Sequence, residues 1–264
     1  MKILQITDTH LLPPRATLHG IDPAVQLARV VEDILAHHAD ADLVTVTGDL
    51  CNDGEPAAYA LLREILAPLP CPVRLLLGNH DARPAFRAAF PEHPADDSGF
   101  VQSWLDTPRG RLLFLDSHHP DTIGGRYCAA RQGWLETALH GAGPVVVFIH
   151  HPPVPDGLAH FDAIRLHDMA AVTGPLRTHA PGVVHVVFGH IHVPLAGTSP
   201  EGFAYSAGQS CAHRFVTAPD DPTPWWTEGP PCYRILMWDD LGFRAYGVQV
   251  GERRIARSVY CAGP

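Results

Sequence analysis

Aspartate, asparagine and histidine recur in five short segments: Asp8-Thr9-His10, Gly48-Asp49, Gly78-Asn79-His80-Asp81, His150-His151 and Gly189-His190-Ile191-His192. Each follows a compact apolar run, at residues 2–7, 43–47, 73–77, 145–149 and 183–188. A mixed set of oxygen and imidazole donors suits Fe, Mn, Zn or Co better than Ca or Mg. Roughly seven such ligands are too many for one tetrahedral zinc. They match two metals that share a bridging carboxylate. Two metals about 3.5–4 Å apart hold a hydroxide and clamp phosphate oxygens for in-line displacement. In an extended chain residues i and i+2 point the same way, so Asp8 with His10, and His190 with His192, are expected to face one site. Gly48, Gly78 and Gly189 would permit sharp turns where strand meets loop.

The elements that must position these residues follow from hydrophobic patterning. The apolar runs lack a clean alternation, which suits strands buried on both faces. Asp22-Pro23 opens a helix, with Asp22 as cap and Pro23 at the first helical position. Its apolar face is expected to be Ala24, Leu27, Ala28, Val31, Ile34 and Leu35. A second helix is expected over 55–66, so the chain starts β-α-β-α-β, the signature of a parallel sheet. Short paired strands are expected at 100–104 and 111–116 around the Pro108-Arg109-Gly110 turn, helices at 132–140 and 166–178, and strands in the tail at 203–206, 233–238 and 243–250. Every donor segment thus sits just past the carboxyl end of a strand, the rim where open α/β sheets bind ligands. The expected fold is α/β: one domain over residues 1–264, two mixed sheets packed together with helices outside.

The ordered set D-x-H, GD, GNHD, H and GHxH resembles the calcineurin-like metallophosphoesterase family. The five blocks run from Asp8 to His192, most of the chain. The stretch His150-His151-Pro152-Pro153, with Phe161-Asp162, further resembles the branch of class III cyclic-nucleotide phosphodiesterases and glycerophosphodiesterases. The resemblance implies a four-layer α/β/β/α sandwich. It implies one metal on Asp8, His10, Asp49 and His192 and a second on Asn79, His150, His190 and the shared Asp49. His80 is similar to the family histidine that contacts the phosphate and protonates the leaving group. Asn79, His80 and His213 are the candidate substrate contacts, with Arg214 beside them. Asp81 is expected to support its turn, and His151 to hydrogen-bond behind the ligands.

Composition narrows the substrate. The formal charge is −9, with Lys2 the only lysine against eighteen arginines. No basic stripe is present, which argues against nucleic acid as a stable partner. Cys51, Cys71, Cys128, Cys211, Cys232 and Cys261 include no CxxC pair. The start MKILQITDTH has no signal-peptide architecture, and no apolar run approaches the roughly 20 residues that span a bilayer. The expectation is a cytoplasmic enzyme with reduced thiols and no membrane partner. The proline-rich stretch 218–231, with Trp225 and Trp226, is a candidate lid or a contact in a homo-oligomer. The leading function is a dinuclear metal-dependent phosphodiesterase of small phosphodiesters, a 3′,5′-cyclic nucleotide first. Glycerophosphodiesters, phosphomonoesters and nucleotide pyrophosphates are alternatives for the same chemistry, and a non-catalytic interaction scaffold is the alternative without it.

Overall fold

In a computed structural model, which describes residues 1–251 and so leaves Cys261 outside the described residues, the amino-terminal half builds one sheet. Strand β1 (Lys2–Ile6), helix α1 (Pro23–His37), β2 (Leu43–Thr47), α2 (Pro56–Leu66) and β3 (Val73–Leu76) wind as expected. The pairs β1–β2 and β2–β3 are parallel. Asp22 caps α1, its Oδ1 accepting from the amides of Ala24 at 3.0 Å and Val25 at 3.3 Å. The buried stripe of α1 is Pro23, Leu27, Val30, Val31 and Ile34. Leu35, expected on that face, is exposed. A short helix α3 (Arg83–Ala89), unmarked by apolar periodicity, follows the GNHD segment.

The second half builds a sheet of its own. Strands β4 (Ser103–Thr107) and β5 (Gly110–Leu115) form the expected hairpin, shifted three residues later on its first arm. Then come α4 (Ala129–Leu139), β6 (Val145–Ile149), the single turn α5 (Ala159–Asp162), α6 (Met169–Thr178), β7 (Val183–Phe188), β8 (Leu195–Thr198) and β9 (Ala204–Ala207). A two-strand ribbon, β10 (Arg214–Phe215) with β11 (Trp226–Thr227), precedes β12 (Cys232–Asp239) and β13 (Gly242–Gln249). The last two strands return to the first sheet, giving the orders β13-β12-β1-β2-β3 and β4-β5-β6-β7-β9-β8. Both sheets are therefore mixed.

Three apolar clusters define the layers. Leu4, Ile6, Val44 and Val46 pack outward against α1 and α2. Leu113, Leu115, Val147 and Phe188 pack outward against α4 and α6. Ile3, Leu43, Leu236 and Trp238 meet Leu112, Phe114, Val146, Phe148 and Val187 between the sheets. Strand alternation then puts Gln5, Thr45, Thr47 and Arg234 on that same inner face, and register sets Gln5 beside both Arg234 and Thr45. The inner layer is apolar at one end and polar at the end where β1, β2, β6 and β7 finish.

A buried charge holds α3, β5 and α4 together. Asp116 is fully buried; its two oxygens take Arg83 in a fork at 2.9 and 3.0 Å and also accept from the amides of Val101 and His118. Arg131, almost fully buried, donates to the carbonyls of Asp116 and His118 at 2.8 and 3.0 Å. Removing one member of such a set strands the others without a counter-charge. We expect Asp116→Ala to lose about 3–5 kcal/mol of stability in urea denaturation. A loss under about 1 kcal/mol would show that the pair behaves like an exposed one.

Candidate metal centre

The five donor segments converge at one rim of the sandwich. Asp8, His10, Asp49 and His192 bring their ligand atoms within 4.8 Å of one another, as do His150, His151 and His190, and His10, His192 and His213. All are buried. The backbone reaches this arrangement differently from the expectation. Asp8 and His10 are not extended: their φ angles are 54° and 44°, and those of Asp49, His190 and His192 are 48°, 70° and 54°. Non-glycine residues seldom adopt this left-handed region, and where they do the surroundings over-determine it. Here the amide of Asp8 donates to Gly48 O at 3.1 Å, that of His10 to Asp49 O at 2.9 Å, and that of His190 to Asp8 Oδ1 at 3.0 Å. Left-handed residues at i and i+2, locked by the neighbouring segment, turn both side chains of each pair inward.

Two of the glycines serve close approach more than turning. A Cβ on Gly78 would lie 2.6 Å from His150 Nε2 and closer still to Asp49 Oδ1; one on Gly189 would collide with Thr7 Oγ1 and lie 3.1 Å from Asp8 Oδ2. Gly48 does both, with φ 96° and His150 against it.

Each imidazole is held through one nitrogen. His150 Nδ1 donates to Thr47 O at 2.8 Å, His192 Nδ1 to His213 O at 3.0 Å and His190 Nε2 to Ile164 O at 3.1 Å, because a carbonyl only accepts. His10 Nδ1 lies 3.3 Å from Asn52 Oδ1, whose amide nitrogen is bonded to Asp53. These bonds occupy one ring nitrogen each and leave Nε2 of His10, His150 and His192, and Nδ1 of His190, for the cluster. Fixing a ligand histidine from behind is the usual device of metal sites. Nε2 of His10 and of His192 stand 3.2 Å apart. Burial holds His10 down to a pKa of about 3, despite Asp49 nearby. Buried imidazoles beside the carboxylates of Asp8 and Asp49 are a donor set that fits a metal.

Asp49 stands at the centre. Its Oδ2 is 3.6 Å from His10 Nε2 and 3.4 Å from His150 Nε2, while Oδ1 accepts from the amide of His80 at 3.0 Å. One oxygen therefore faces both halves of the cluster. Burial pushes its pKa up, but His150 and the other imidazoles outweigh this and hold the carboxyl well below the usual range. Burial likewise opposes protonation of His150, and Asp49 overcomes it, raising His150 to about 9. Asn79 Oδ1 lies 3.4 Å from His150 Nε2.

The remaining expected residues divide. His80 is exposed, anchored by Nδ1 to Asn52 O at 2.8 Å, with its ring 4.7 Å from that of His10. His213 is buried, its ring 4.9 Å from His10 and 4.4 Å from His192. Arg214 turns away, towards Pro230 O and Cys232 Sγ. Asp81 accepts from the amides of Gly78, Leu50 and Cys51 and from the Tyr59 hydroxyl, tying the second donor loop to the third. His151 has both ring nitrogens engaged, by Ser117 Oγ at 2.8 Å and Ile123 O at 3.1 Å. A cavity of about 230 Å³ opens over the cluster. It is lined by the donors His10, Asp49, Asn79, His190 and His192 and by the apolar Ile123, Phe161, Ile164, Phe215 and Trp226. Sequence patterning did not single out Asn52, Ile123, Ile164 or Phe215, because their parent segments are loops and a two-residue strand without periodicity.

A profile of the family described as Calcineurin-like phosphoesterase matches residues 1–194. A Rhodopseudomonas palustris protein named "Probable cyclic nucleotide phosphodiesterase" is 37% identical over 220 residues, 81% of this chain and 79% of that one. The glycerophosphodiester phosphodiesterase GpdQ of Enterobacter lignolyticus is 31% identical over 249 residues, 92% and 88% of the two chains. Among solved structures, a dimetal phosphatase from Danio rerio superposes with a TM-score of 0.66 at 14% identity, covering 95% of this chain and 99% of that one, a likeness of fold. With the motif blocks gathered at one rim of the same fold, the chain belongs to the calcineurin-like phosphoesterases and is a hydrolase of phosphoric esters.

Proposed function

We propose a dinuclear metal-dependent phosphodiesterase that hydrolyses small phosphodiesters, with a 3′,5′-cyclic nucleotide as leading substrate. The observation that carries the reading is the position of Asp49 Oδ2, shared between His10 and His150. In this reading Asp8, His10, Asp49 and His192 hold one ion, and Asp49, Asn79, His150 and His190 the other. Bound there, transition-metal ions (Fe, Mn, Zn or Co fit the donors) supply Lewis acidity and a nucleophile at neutral pH. We assign His80 to the leaving group: its Nδ1 is fixed, and its Nε2 remains to contact the phosphate and hand over a proton. General acid help of this kind is typically worth about 100- to 10,000-fold. Asn79 is assigned to both metal and phosphate, and His213 to the substrate.

A cavity lined by both donors and aromatic rings favours a substrate with a flat apolar group beside its phosphate. Phe161, Phe215 and Trp226 line it together with the metal donors, and base stacking on an aromatic contributes about 1–3 kcal/mol. The names of several relatives point the same way. A glycerophosphodiester is the second reading, supported by the coverage of the Enterobacter relative. Among the described residues no helix is long and apolar enough to cross a membrane.

Three outcomes test this. After chelation and return of Mn²⁺, the wild type should hydrolyse bis(p-nitrophenyl) phosphate. Asp49→Ala and His150→Ala should each lose more than the roughly 10- to 100-fold that an outer partner costs; unchanged turnover in either would remove the metal reading. Trp226→Ala should lower kcat/KM for cyclic AMP about 5- to 150-fold, the equivalent of that stacking, and leave glycerophosphoethanolamine nearly untouched. Equal losses on both would deny Trp226 a role in recognising the base. The third outcome concerns pH. Metal competes with the proton on His150, which is bound below about pH 9 in the metal-free site. Apparent metal affinity should therefore fall by up to tenfold per unit as pH drops below about 9 and level off above it. A flat profile from pH 6 to 9 in a metal-buffered titration would contradict the Asp49–His150 coupling.

A further inference from the structure

Strand β1, the residue just after it and strand β2 place polar side chains on a face where apolar ones would pack at lower cost. Gln5, Thr7 and Thr47 are all essentially buried. They form one continuous line of hydrogen bonds with Arg234 at one end and Asp8 at the other. Arg234 Nε donates to Gln5 Oε1 at 2.6 Å; Gln5 Nε2 donates to Thr47 Oγ1 at 2.8 Å; Thr47 Oγ1 donates to Thr7 Oγ1 at 2.7 Å; Thr7 Oγ1 donates to Asp8 Oδ2 at 2.6 Å. The direction is fixed from both ends. A guanidinium only donates, a carboxylate only accepts, and each hydroxyl has a single proton. Gln5 must therefore turn its oxygen to Arg234 and its nitrogen to Thr47. Hydrogen bonds in such a chain polarise one another, more so away from water.

The two oxygens of Asp8 are thereby distinguished. The His190 amide reaches both, at 3.0 Å to Oδ1 and 3.2 Å to Oδ2, but only Oδ2 takes Thr7 from behind, and Oδ1 lies 3.4 Å from Nε2 of His192. Arg234 has neutral partners only, Gln5 Oε1 and the hydroxyl and carbonyl of Ser206, so among the described residues its charge is aimed down the line of donors towards Asp8.

Resting on the metal reading above, we propose that Arg234 is a positioning residue for the metal centre: through Gln5, Thr47 and Thr7 it holds Asp8 Oδ2 and presents Oδ1 alone as the ligand atom. The competing account is structural. Arg234 also ties the sheets through Ser206, and Gln5 does so through Phe188 O at 3.2 Å.

Substitutions separate the two accounts, read by Mn²⁺ binding to chelated full-length protein, followed by the electron paramagnetic resonance of free Mn²⁺. Thr47→Val keeps the shape and removes the relay, and Arg234→Met removes the charge. Each should weaken one of the two binding steps about 10- to 100-fold, the usual cost of losing an outer partner, and leave the other within about threefold. Thr47→Ser, which keeps the hydroxyl, and Ser206→Ala, which loosens the sheet tie without touching the line, should keep both steps within about threefold of wild type. Wild-type binding by Thr47→Val would overturn the inference alone, as would Ser206→Ala weakened as far as Arg234→Met. A wild type that takes up no Mn²⁺ would overturn both the inference and the metal reading.

Discussion

Imidazole nitrogens of His10 and His192 face each other at 3.2 Å in a buried site, with the carboxylates of Asp49 and Asp8 beside them. Much of the local structure exists to keep such donors together. The nitrogens of His10 and His192 face each other because Asn52 and the carbonyl of His213 hold the rings from behind. Those rings in turn face inward because Asp8, His10, His190 and His192 occupy left-handed backbone. That backbone persists because each donor loop is bonded to the next: Asp8 to Gly48, His10 to Asp49, His190 to Asp8, and Gly189 to His150 O. A free chain would relax each of these turns. The sandwich prevents it by ending five strands at one rim, so that relaxation of one loop breaks the bonds of another.

Much of this is readable in the residue order. An apolar run followed by Asp, Asn or His, repeated five times, gives the strands and the rim, since buried parallel strands leave ligand groups only at their ends. The local geometry is another matter. Period-two reasoning brings Asp8 and His10 to the same side, and they are on the same side, but through left-handed turns that no propensity of Asp or His announces. Gly78 and Gly189 read as turn residues, whereas they are needed for the space that a Cβ would take from Asp49, His150 and Asp8. Such contacts join segments far apart in sequence and leave no local trace. The same holds for Arg214, which adjoins His213 in the chain yet turns its guanidinium the other way, and for Val30, which is buried on α1 where Leu35 is not.

The apolar lining of the cavity was less legible still. Phe161 lies on a single helical turn and Phe215 and Trp226 on a two-residue ribbon. Elements this short carry no period, so their inward faces cannot be told from their outward ones. The 218–231 stretch reads as a lid or a contact between copies; Trp226 lines the cavity, and Trp225 is tied by its indole N–H to Asp221.

The inner layer between the sheets shows how the fold accommodates its site. Towards the start of β1 and β2 it is made of Ile3, Leu43, Leu112, Val146 and Trp238; towards their ends the same face carries Gln5, Thr45, Thr47 and Arg234. A wholly apolar face would pack as well and would spare the cost of burying amide, hydroxyl and guanidinium groups. Polar groups in such a place are tolerable when nearly all are satisfied, and a satisfied network also fixes a unique arrangement. Here the bonds run along the strands to Asp8 and across the sheets to Phe188 and Ser206. Stability from apolar packing and geometry at the metal centre are thus divided between the two ends of one layer. The sheets can stay close-packed at one end while, at the other, their separation is set by hydrogen bonds whose lengths leave little freedom. A metal site built from both sheets needs that second kind of constraint, because a sub-ångström change in the gap would move His150 and His192 relative to Asp8 and Asp49.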